Sequence, residues 1–353
     1  MSLNPGIANV QHGGCRFLLA ASAVATVYGD WMDQLLGPIQ KEIDLFERRL
    51  DEMLQSDVEM VHQVARYMAT LKGKRLRPAL VVLSAKATGL WNSGIIDAGV
   101  GVEMIHAATM VHDDVVDGAS TRRGKASVNA KWDDHIAVLM GDFLLARALS
   151  ILVGLGNQRA LAVVSHATER LSQGEIYEFQ IGLQGDTREE SYFGMVGDKT
   201  ASLISASCKI GPLLVGALDP VVDALGAYGE FLGLAFQVAD DVLDYTGDAG
   251  ALGKPVGHDL RQGKITLPLI RALAAAPAEK RQRVEVLLRR QENCEADWVH
   301  IVSFVEEHGG VRSASEAAHH YAAQAEKSLQ ILEPSVARSI LETAVHLVVD
   351  RDS

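Results

Sequence analysis

The chain has 353 residues, of which 48% are hydrophobic, 22% charged and only 5% aromatic, so it can bury a large apolar core and intrinsic disorder is excluded. Ala, Leu and Val dominate the apolar residues, a mixture that favours packed helices over sheets. The 45 Asp and Glu outnumber the 33 Lys and Arg, and the net charge of −12 repels a phosphate backbone, so nucleic acid is not an expected partner.

The first 25 residues precede the regular pattern of the chain. The apolar run from Phe17 to Tyr28 is shorter than the ~20 residues that a membrane span needs, and it resembles a secretory signal only faintly. The three cysteines form no CxxC pair, which is typical of reduced intracellular thiols. We therefore expect residues 1–25 to be a loose extension or a cloning remnant, residues 26–353 to form one domain, and the protein to be cytoplasmic.

Apolar residues recur at three- and four-residue spacing from about residue 24 almost to the C-terminus, which is the pattern of amphipathic helices. A first stripe includes Leu35, Ile39 and Ile43, and the more apolar stretch around Met104 predicts a central helix. The sequence shows no useful length of strand-like alternation and no repeat. It predicts an all-α protein of about twelve helices packed as one bundle.

Two basic, glycine-containing loops interrupt the helices. Residues 118–127 read GASTRRGKAS, and residues 246–263 contain five glycines together with Lys254 and Arg261. A glycine-rich loop alone is most often a plain connector. Both loops, however, follow directly on the most acidic helix ends of the chain, and this shared position indicates a common function.

Two clusters of three aspartates precede these loops. They are Asp113, Asp114 and Asp117 in HDDVVD, and Asp240, Asp241 and Asp244 in ADDVLD. In each cluster the first and last carboxylates are four residues apart, so they lie on one helix face and repel each other. They also sit near predicted helix C-termini, where the helix dipole disfavours anions. This electrostatic cost arises at both clusters, so we expect a bound cation to compensate for it. Hard carboxylate oxygens suit Mg²⁺.

Basic and polar residues form a second pattern around the Asp clusters. Lys74 and Arg77 are three apart at the predicted start of a helix, on one face, where free amides also attract anions. Arg122 and Arg123 follow the first cluster. The other members of the pattern are His106, Lys199, Thr200, Gln237, Lys254 and Lys264. Each alone would be interpreted as a surface charge or a core residue, but together they predict diphosphate sites, because Arg and Lys bind phosphate and Mg²⁺ bridges it to Asp.

Five segments carry a resemblance to a known family. They are GKRLRP, IHAATMVHDDVVDGASTRRGKAS, KTA, FQVADDVLDYTGD and GKPVGHDLRQGKITLP, in that order. From about residue 30 to the C-terminus the chain resembles the trans-isoprenyl diphosphate synthases, or polyprenyl synthetase family, and it looks closest to the bacterial long-chain, octaprenyl-like synthases. One departure is His258, where many relatives carry an acidic residue before Asp259. It bears on the metal contacts of this loop and not on the reaction.

The resemblance implies an isoprenoid synthase fold: an all-α, single large helical bundle around a central cavity, with residues 26–353 as the catalytic domain of a homodimer. It implies that Mg²⁺, roughly three ions with substrate bound, is held by Asp113, Asp117, Asp240 and Asp244, which are catalytic together with Lys199. Isopentenyl diphosphate would be bound by Lys74, Arg77, His106 and Arg123. The residues implied for the allylic diphosphate are Arg122, Lys199, Thr200, Gln237, Lys254 and Lys264.

The family elongates an allylic diphosphate by successive trans condensations with isopentenyl diphosphate. Metal and cationic side chains stabilise charge on the departing diphosphate. Ionisation leaves an allylic carbocation, which water would quench, so a dry cavity is needed. The double bond of isopentenyl diphosphate then attacks this carbocation and a proton is lost. Since no general base stands out in the sequence, the released diphosphate is the implied acceptor. A long apolar product also implies peripheral membrane contact at release.

The residues just before the first Asp cluster predict the chain length. Ala108 and Thr109, about one turn before Asp113, carry no bulky ring, whereas short-chain relatives tend to carry an aromatic residue there. We therefore predict a long product, about C40, made from farnesyl diphosphate as the allylic primer. Ordinary helix packing would also explain Ala108, and a short-chain synthase with C15–C20 products is the alternative.

Three other functions compete with this prediction. ExxH occurs at Glu59/His62, Glu103/His106 and Glu316/His319, and paired ExxH helices build di-iron carboxylate bundles. That hypothesis leaves both Asp clusters and the cationic loops unexplained. A terpene cyclase would carry a different second metal motif, and a non-catalytic subunit of a heteromeric synthase would be expected to lose one Asp cluster.

Overall fold

The computed structural model describes residues 35–71, 73–246, 256–290 and 293–350. The predicted extension 1–25, residues 26–34 and Lys254 lie outside these described residues. Within them the chain forms sixteen α-helices, one π-helical segment, two short 3₁₀ turns and two strands of two residues each. The all-α prediction is therefore confirmed for the described part of the chain.

The helices follow one another with short connections. The first eight are α1 (Gln40–Met53), α2 (Glu59–Ala69), α3 (Leu76–Ala87), α4 (Gly94–Val116), α5 (Val128–Lys131), α6 (Asp134–Gly154), α7 (Gln158–Gln184) and α8 (Glu189–Val196). The last eight are α9 (Ser202–Leu214), α10 (Asp219–Thr246), α11 (His258–Arg261), α12 (Leu267–Ala275), α13 (Ala278–Leu288), α14 (Glu295–Glu307), α15 (Gly310–Ser328) and α16 (Val336–Val349). The π-helical segment, Gly197–Ala201, joins α8 to α9.

The sixteen α-helices of the described residues exceed the predicted twelve, and two of the additional ones have a simple reason. Helices α5 and α11 have four residues each, which is too short for a 3.6-residue apolar period to be visible in the sequence. The predicted basic loop 118–127 contains a tight antiparallel hairpin, in which Thr121 pairs with Ala126 and Arg122 with Lys125. The hairpin is tied to α2, since the Tyr67 hydroxyl donates to the Ala126 carbonyl at 2.7 Å.

Helix α4 lies at the centre of the bundle, as predicted. It packs against α1, α3, α6 and α9, and its residues from Ile95 to Ile105 are buried apart from Asp97. A helix that is apolar all round can only be a buried helix in a protein core or a membrane span. The polar end of α4, with the first Asp cluster, therefore emerges from the apolar core of the bundle.

Helix α10 connects two hydrophobic cores. Its first half, with Leu225 and Leu232, belongs to the core around α3, α4, α6 and α9. Its second half, with Val238 and Tyr245, belongs to a smaller core formed with α8, α12, α14 and α15. The second Asp cluster lies at the end of α10, between Val238 and Tyr245, so it is held by the smaller core.

Two glycines allow close approach of helices to the π-helical segment. A Cβ atom on Gly174 of α7 would overlap the backbone of Lys199, and one on Gly233 of α10 would overlap Ala201. Both positions therefore require glycine. At these glycines α7 and α10 pack directly against the backbone of the segment that carries Lys199 and Thr200.

By length and hydropathy alone, three helices of the described part of the chain could cross a membrane: α4, α6 and α10. Within the bundle, 61% of the most apolar window of α4 and 50% of that of α10 are buried. For α6 the buried share is 33%. Its uncovered side presents Leu139, Leu149 and Val153, which are all more than half exposed.

Candidate active site

The first Asp cluster occupies the last turn of α4, as predicted. Asp117 is the C-terminal capping residue, and its N–H donates to the Asp113 carbonyl at 2.8 Å. Burial raises the pKa of Asp113 to about 7, the nearby carboxylates of Glu175 and Asp117 act in the same direction, and the Lys199 ammonium opposes them. Asp113 is thus a partly desolvated carboxylate with two other carboxylates close by.

Asp114, the middle residue of this cluster, points away from Asp113 and holds Arg122. Its carboxylate is buried and accepts a hydrogen bond from Nε of Arg122 at 2.9 Å and another from Nη2. The Asn129 amide donates to the Asp114 carbonyl at 3.2 Å. Asp114 thus orients a cation that the sequence assigned to the allylic diphosphate.

Asp241, the middle residue of the second cluster, has the corresponding role. It is buried, and it accepts hydrogen bonds from the Tyr192 hydroxyl at 2.5 Å and from Nε2 of Gln237 at 3.0 Å. Oε1 of Gln237 accepts in turn from the Thr200 hydroxyl at 3.0 Å. Burial raises the pKa of Asp241 to about 7, and its two donors oppose that shift. Two predicted substrate contacts are therefore oriented by one buried carboxylate.

Asp244 closes the second cluster against the glycine-rich loop. Its carboxylate accepts backbone N–H groups of His258 at 3.1 Å and Asp259 at 3.2 Å. The His258 bond to Asp244 comes from the backbone N–H, which any residue at this position would provide. Having histidine here instead of the acidic residue of many relatives therefore leaves this hydrogen bond unchanged. Further along the loop, Nζ of Lys264 lies 3.9 Å from Oδ2 of Asp117. This contact links the loop after the second cluster to the first cluster.

Lys199 lies in the π-helical segment between the two clusters. Its ammonium donates to Glu178 at 2.6 Å and to Glu175 at 2.8 Å, both on α7. Burial opposes the charged form, but the two glutamates outweigh it and raise the pKa of Lys199. A π-helical turn inside an α-helix is often found at a functional site, and here it presents Lys199 and Thr200 side by side.

The predicted allylic contacts converge in part. Lys199, Thr200, Gln237 and Lys264 line one small cavity of about 90 Å³ together with Asp241. Arg122 stands apart from this group on the hairpin, where it is held by Asp114. Lys254 lies outside the described residues.

The predicted isopentenyl set gathers at the start of α3 and beside α4. Burial and the charges of Arg77 and Arg123 hold the pKa of His106 well below its usual range, so these three side chains are neighbours and His106 is neutral. The Arg123 guanidinium donates to the Leu71 carbonyl and lies against Gly73. Nε of Arg77 is buried and has no hydrogen-bond partner within the described residues.

Lys74 requires a correction. The expectation that it shares a helix face with Arg77 is wrong, because α3 begins at Leu76. Arg75 adopts a left-handed conformation (φ 54°) that turns the chain just before the helix. This turn is stabilised by ion pairs of Arg75 with Glu47 at 2.7 Å and Glu103 at 2.9 Å.

The chain-length residues differ in orientation. Thr109 is four residues before Asp113 and shares its face, and its hydroxyl donates to the His106 carbonyl at 2.9 Å. Ala108 is fully buried and, at about 100° per residue, lies roughly 140° around the helix from Asp113. Their role in product length stays a prediction.

Sequence reasoning missed several residues of this site. Glu175 and Glu178, which hold Lys199, are three apart on one face of α7, and this acidic pair was a signal in the sequence. Tyr192 and Arg170 gave no such signal, because each acts through a partner far away in the sequence.

The donor set fits a divalent cation. Aspartate oxygens from two helix ends are the hard ligands that Mg²⁺ prefers, and the carboxylates of Glu175 and Asp117 lie near Asp113. Among the described residues no three His, Cys, Asp or Glu side chains converge on one point, so substrate oxygens would complete the coordination. The di-iron hypothesis is disfavoured, since the Glu103 carboxylate is bound to Arg75.

Comparisons with known proteins agree with this geometry. The family described as Polyprenyl synthetase matches residues 58–305. Octaprenyl diphosphate synthase of Escherichia coli is 35% identical over 301 residues, which cover 85% of this chain and 93% of that protein.

Two solved structures share the fold. A polyprenyl synthase from Caulobacter crescentus, complexed with calcium and isoprenyl diphosphate, is 33% identical with a TM-score of 0.85, and the match covers 91% of this chain and 98% of that one. A decaprenyl diphosphate synthase from Rhodobacter capsulatus is 31% identical with a TM-score of 0.86, covering 90% and 98%. The two Asp clusters, the residues that orient their neighbours and these similarities lead to one conclusion: the chain belongs to the polyprenyl synthetase family and is a prenyltransferase.

Proposed function

We propose that this protein elongates an allylic prenyl diphosphate by successive trans condensations with isopentenyl diphosphate and releases a long-chain product of about C40. One observation carries the proposal. Lys199 and Thr200 lie side by side between the clusters. Lys199 donates to the Glu175 carboxylate, which lies near Asp113. The Thr200 hydroxyl donates to Gln237, which in turn donates to Asp241. This arrangement provides cations and hydrogen-bond donors between two sets of metal-binding oxygens.

The allylic diphosphate would lie between the clusters. Lys199, Lys264 and Arg122 would meet its oxygens as cations. The second amide hydrogen of Gln237, and the Thr200 hydroxyl after it turns from the Gln237 oxygen, would meet them as hydrogen-bond donors. The Lys199 ammonium is held by two glutamates and stays charged, so it can attract the negative charge that develops as the carbon–oxygen bond breaks. Lys254 is assigned to the same substrate.

Isopentenyl diphosphate would bind beside α4, against Arg77, Arg123, His106 and Lys74. The neutral His106 donates or accepts a hydrogen bond without adding charge, so the two arginines carry the electrostatic attraction. The proton lost after condensation would go to the released diphosphate.

Magnesium is the proposed metal, in roughly three ions per site with substrate bound. Asp113 and Asp117 would hold it from one side, and Asp240 and Asp244 from the other. When bound, it supplies positive charge to the departing diphosphate. The buried Asp241 would not ligate it, because both of its oxygens already accept hydrogen bonds from Tyr192 and Gln237. Asp114 would not ligate it either, because its charge is paired with the Arg122 guanidinium.

The direct test is an incubation of the purified protein with farnesyl diphosphate, isopentenyl diphosphate and MgCl₂, followed by sizing of the products. A ladder ending near C40 supports the proposal, and products ending at C15–C20 would indicate the short-chain alternative. No prenyl transfer with any allylic primer would contradict the proposed function.

We also propose a homodimer through the outer face of α6. Leu139, Leu149 and Val153 are 56–62% exposed there, and a contiguous apolar face of this kind is typical of an interface. Light scattering should give a dimer for the natural chain and a monomer for Leu149→Asp. Leu218→Asp, at a more exposed apolar position before α10, should remain dimeric.

We further propose a cytoplasmic protein that touches a membrane when the apolar product leaves. Three exposed apolar side chains on α7, Ile176, Phe179 and Leu183, support this contact. Flotation with phospholipid vesicles should carry the protein upward, and Phe179→Ser should weaken that association. Equal flotation of both proteins would contradict this contact surface.

A further inference from the structure

The end of α13 concentrates positive charge in an acidic chain. The residues from Glu279 to Arg290 contain five cations and two carboxylates, although the whole chain has a net charge of −12. The cations are Lys280, Arg281, Arg283, Arg289 and Arg290. An anionic surface repels a chain of this net charge, so a local basic patch determines which face of the protein approaches such a surface.

A cavity of about 300 Å³ lies beside this basic end, where α7, α11, α13 and α14 meet. Arg289 and Arg290 line it, and the one carboxylate among its described lining residues, Glu285, lies 3.8 Å from Arg281. Trp298 provides an aromatic wall. The volume is at the lower limit of the range of about 300–1,000 Å³ that is typical of small-molecule sites, so the cavity suits a compact anionic group.

The cations of this lining differ in how far they are neutralised. The Arg261 guanidinium binds both carboxylate oxygens of Glu295, at 2.6 and 2.7 Å. Nη1 of Arg290 lies 3.7 Å from the Asp297 carboxylate, which is longer than a hydrogen bond. Arg289 is exposed and makes no ion pair or hydrogen bond with any described residue. The cavity therefore retains positive charge for an external anion.

An apolar stripe on α7 borders the cavity. Ile176, Phe179 and Leu183 are 67–74% exposed and, at spacings of three and four residues, lie on one helix face. Gly182, which lines the cavity, lies about 60° around the helix from Phe179. Cations beside an exposed apolar helix face are typical of proteins that lie on an anionic membrane surface.

The cavity is separate from the substrate sites. Its described lining contains no residue of either Asp cluster and none of the isopentenyl set. Of the described residues assigned to the allylic diphosphate only Lys264 borders it, and the Lys264 ammonium lies 3.9 Å from Asp117 of the first cluster. Substitution of Arg289 and Arg290 therefore leaves the substrate contacts in place.

We propose that this face binds an anionic phospholipid surface. The phosphate of one lipid headgroup enters the cavity against Arg289 and Arg290, and the apolar stripe enters the bilayer interface. This docking rests on the membrane contact proposed above, to which it adds the class of lipid that is selected. Residues 261–264 form one wall of the cavity, so the docked enzyme holds its glycine-rich loop beside the lipid into which the apolar product leaves.

Flotation of the full-length protein with vesicles tests the lipid class. Vesicles of phosphatidylcholine alone are compared with vesicles that also contain phosphatidylglycerol. We expect at least about tenfold tighter binding to the anionic vesicles, since each arginine near such a surface contributes about a factor of five. High salt should remove this preference and leave the weaker binding through the apolar stripe.

Neutral variants separate the contribution of the cavity from that of the stripe. The double variant Arg289→Gln/Arg290→Gln should lose the preference for anionic vesicles. Phe179→Ser should bind both kinds of vesicle more weakly and keep the preference. The matched control is Arg48→Gln/Arg66→Gln, which removes the same charge at exposed positions of α1 and α2 and should also keep the preference.

Three outcomes would overturn the proposal. Equal binding of the natural chain to both kinds of vesicle would mean that the contact does not select a headgroup. A preference that persists in Arg289→Gln/Arg290→Gln would place the selectivity elsewhere. Release from anionic vesicles by inorganic diphosphate, at constant ionic strength, would assign the cavity to a soluble anion. Failure of the proposed function is recognised separately, because prenyl transfer in detergent solution would then be absent while flotation is unaffected.

Discussion

Nε2 of Gln237 donates to the buried carboxylate of Asp241 at 3.0 Å, and this bond determines which end of the amide faces the substrate space. With the NH₂ group committed to Asp241, the amide oxygen accepts from the Thr200 hydroxyl. At the other cluster Arg122 likewise donates to the buried carboxylate of Asp114, which orients its guanidinium. In each DDxxD segment the middle aspartate therefore acts as a positioning residue, and the outer two remain for metal.

Loss of an outer aspartate should abolish prenyl transfer. We expect Asp113→Ala and Asp240→Ala each to lower kcat by roughly 10³-fold or more, since each removes a metal ligand and its charge stabilisation. The measurement is the initial rate with saturating substrates and MgCl₂, with circular dichroism as the control for folding. Full activity in EDTA, or in either variant, would contradict the metal assignment.

The isopentenyl set should respond separately from the allylic set. Lys74→Ala and Arg77→Ala should raise KM for isopentenyl diphosphate and change KM for the allylic substrate much less. Arg77→Ala should have the larger effect, because its guanidinium lies beside His106 and Arg123, whereas Lys74 is exposed before the helix. Equal changes in both KM values would argue against this division.

Arg170 should matter although it is remote from the predicted motifs. Its guanidinium binds Asp198 at 2.7 Å, the Gly197 carbonyl at 3.0 Å and Glu230 at 2.9 Å, so it fastens the π-helical segment to α7 and α10. Charge-assisted hydrogen bonds contribute about 1.5–3 kcal/mol each. We expect Arg170→Met to raise the allylic KM about tenfold, with Arg170→Lys partly restoring it. Arg338→Met, which breaks an ion pair with Glu342 on α16, is the control and should leave both KM values unchanged.

His106 should make the ligand-free protein less stable in mild acid. Its pKa is lowered in the folded chain, chiefly by burial and then by Arg77 and Arg123. The unfolded chain therefore binds the proton more readily below about pH 6.5, and the free energy of unfolding should fall by up to about 1.4 kcal/mol per pH unit. Urea titrations at about pH 7 and about pH 5.5 should show a steeper loss for the natural chain than for His106→Gln. Parallel losses would contradict this role of His106.

Product length should respond to Thr109 more than to Ala108. A ring in Thr109→Phe would enter the face that carries Asp113 and should shorten products towards C15–C20. Ala108→Phe is expected to shorten them as well if the tail runs past it, at a cost of about 1–3 kcal/mol for overpacking a buried position. Chromatography of the products gives the answer. Unchanged lengths in both folded, active variants would remove Thr109 and Ala108 from the chain-length pocket.

The sequence predicted the placement of the outer aspartates because that placement depends on local geometry. Four-residue spacing at the end of an apolar helix places Asp113 and Asp117, or Asp240 and Asp244, on one face regardless of the rest of the fold. The central position of α4 was likewise visible, since it is apolar all round.

The remaining features depend on contacts between distant segments. Tyr192 reaches Asp241 across 49 residues, and Arg170 reaches Glu230 across 60, so neither pairing leaves a periodic pattern. The left-handed conformation of Arg75, which separates Lys74 from α3, is stabilised by ion pairs with Glu47 and Glu103. Both glutamates lie outside the segment KGKRLRP, so this segment alone does not predict the turn. The cavity beside the end of α13 arises from how four helices pack, and spacing within one of them does not reveal it.

The π-helical segment Gly197–Ala201 has a consequence for insertions and deletions. A π turn accommodates one residue more than an α turn, so the extra residue is absorbed within the segment while α8 and α9 keep their positions on either side. Removing a single residue from the segment would let it close into a regular α-helix with both flanking helices still in place. The helix packing would then survive, but the local turn that presents Lys199 and Thr200 side by side would be lost. At this point of the chain the extra residue of the π turn serves the site and not the packing of the bundle.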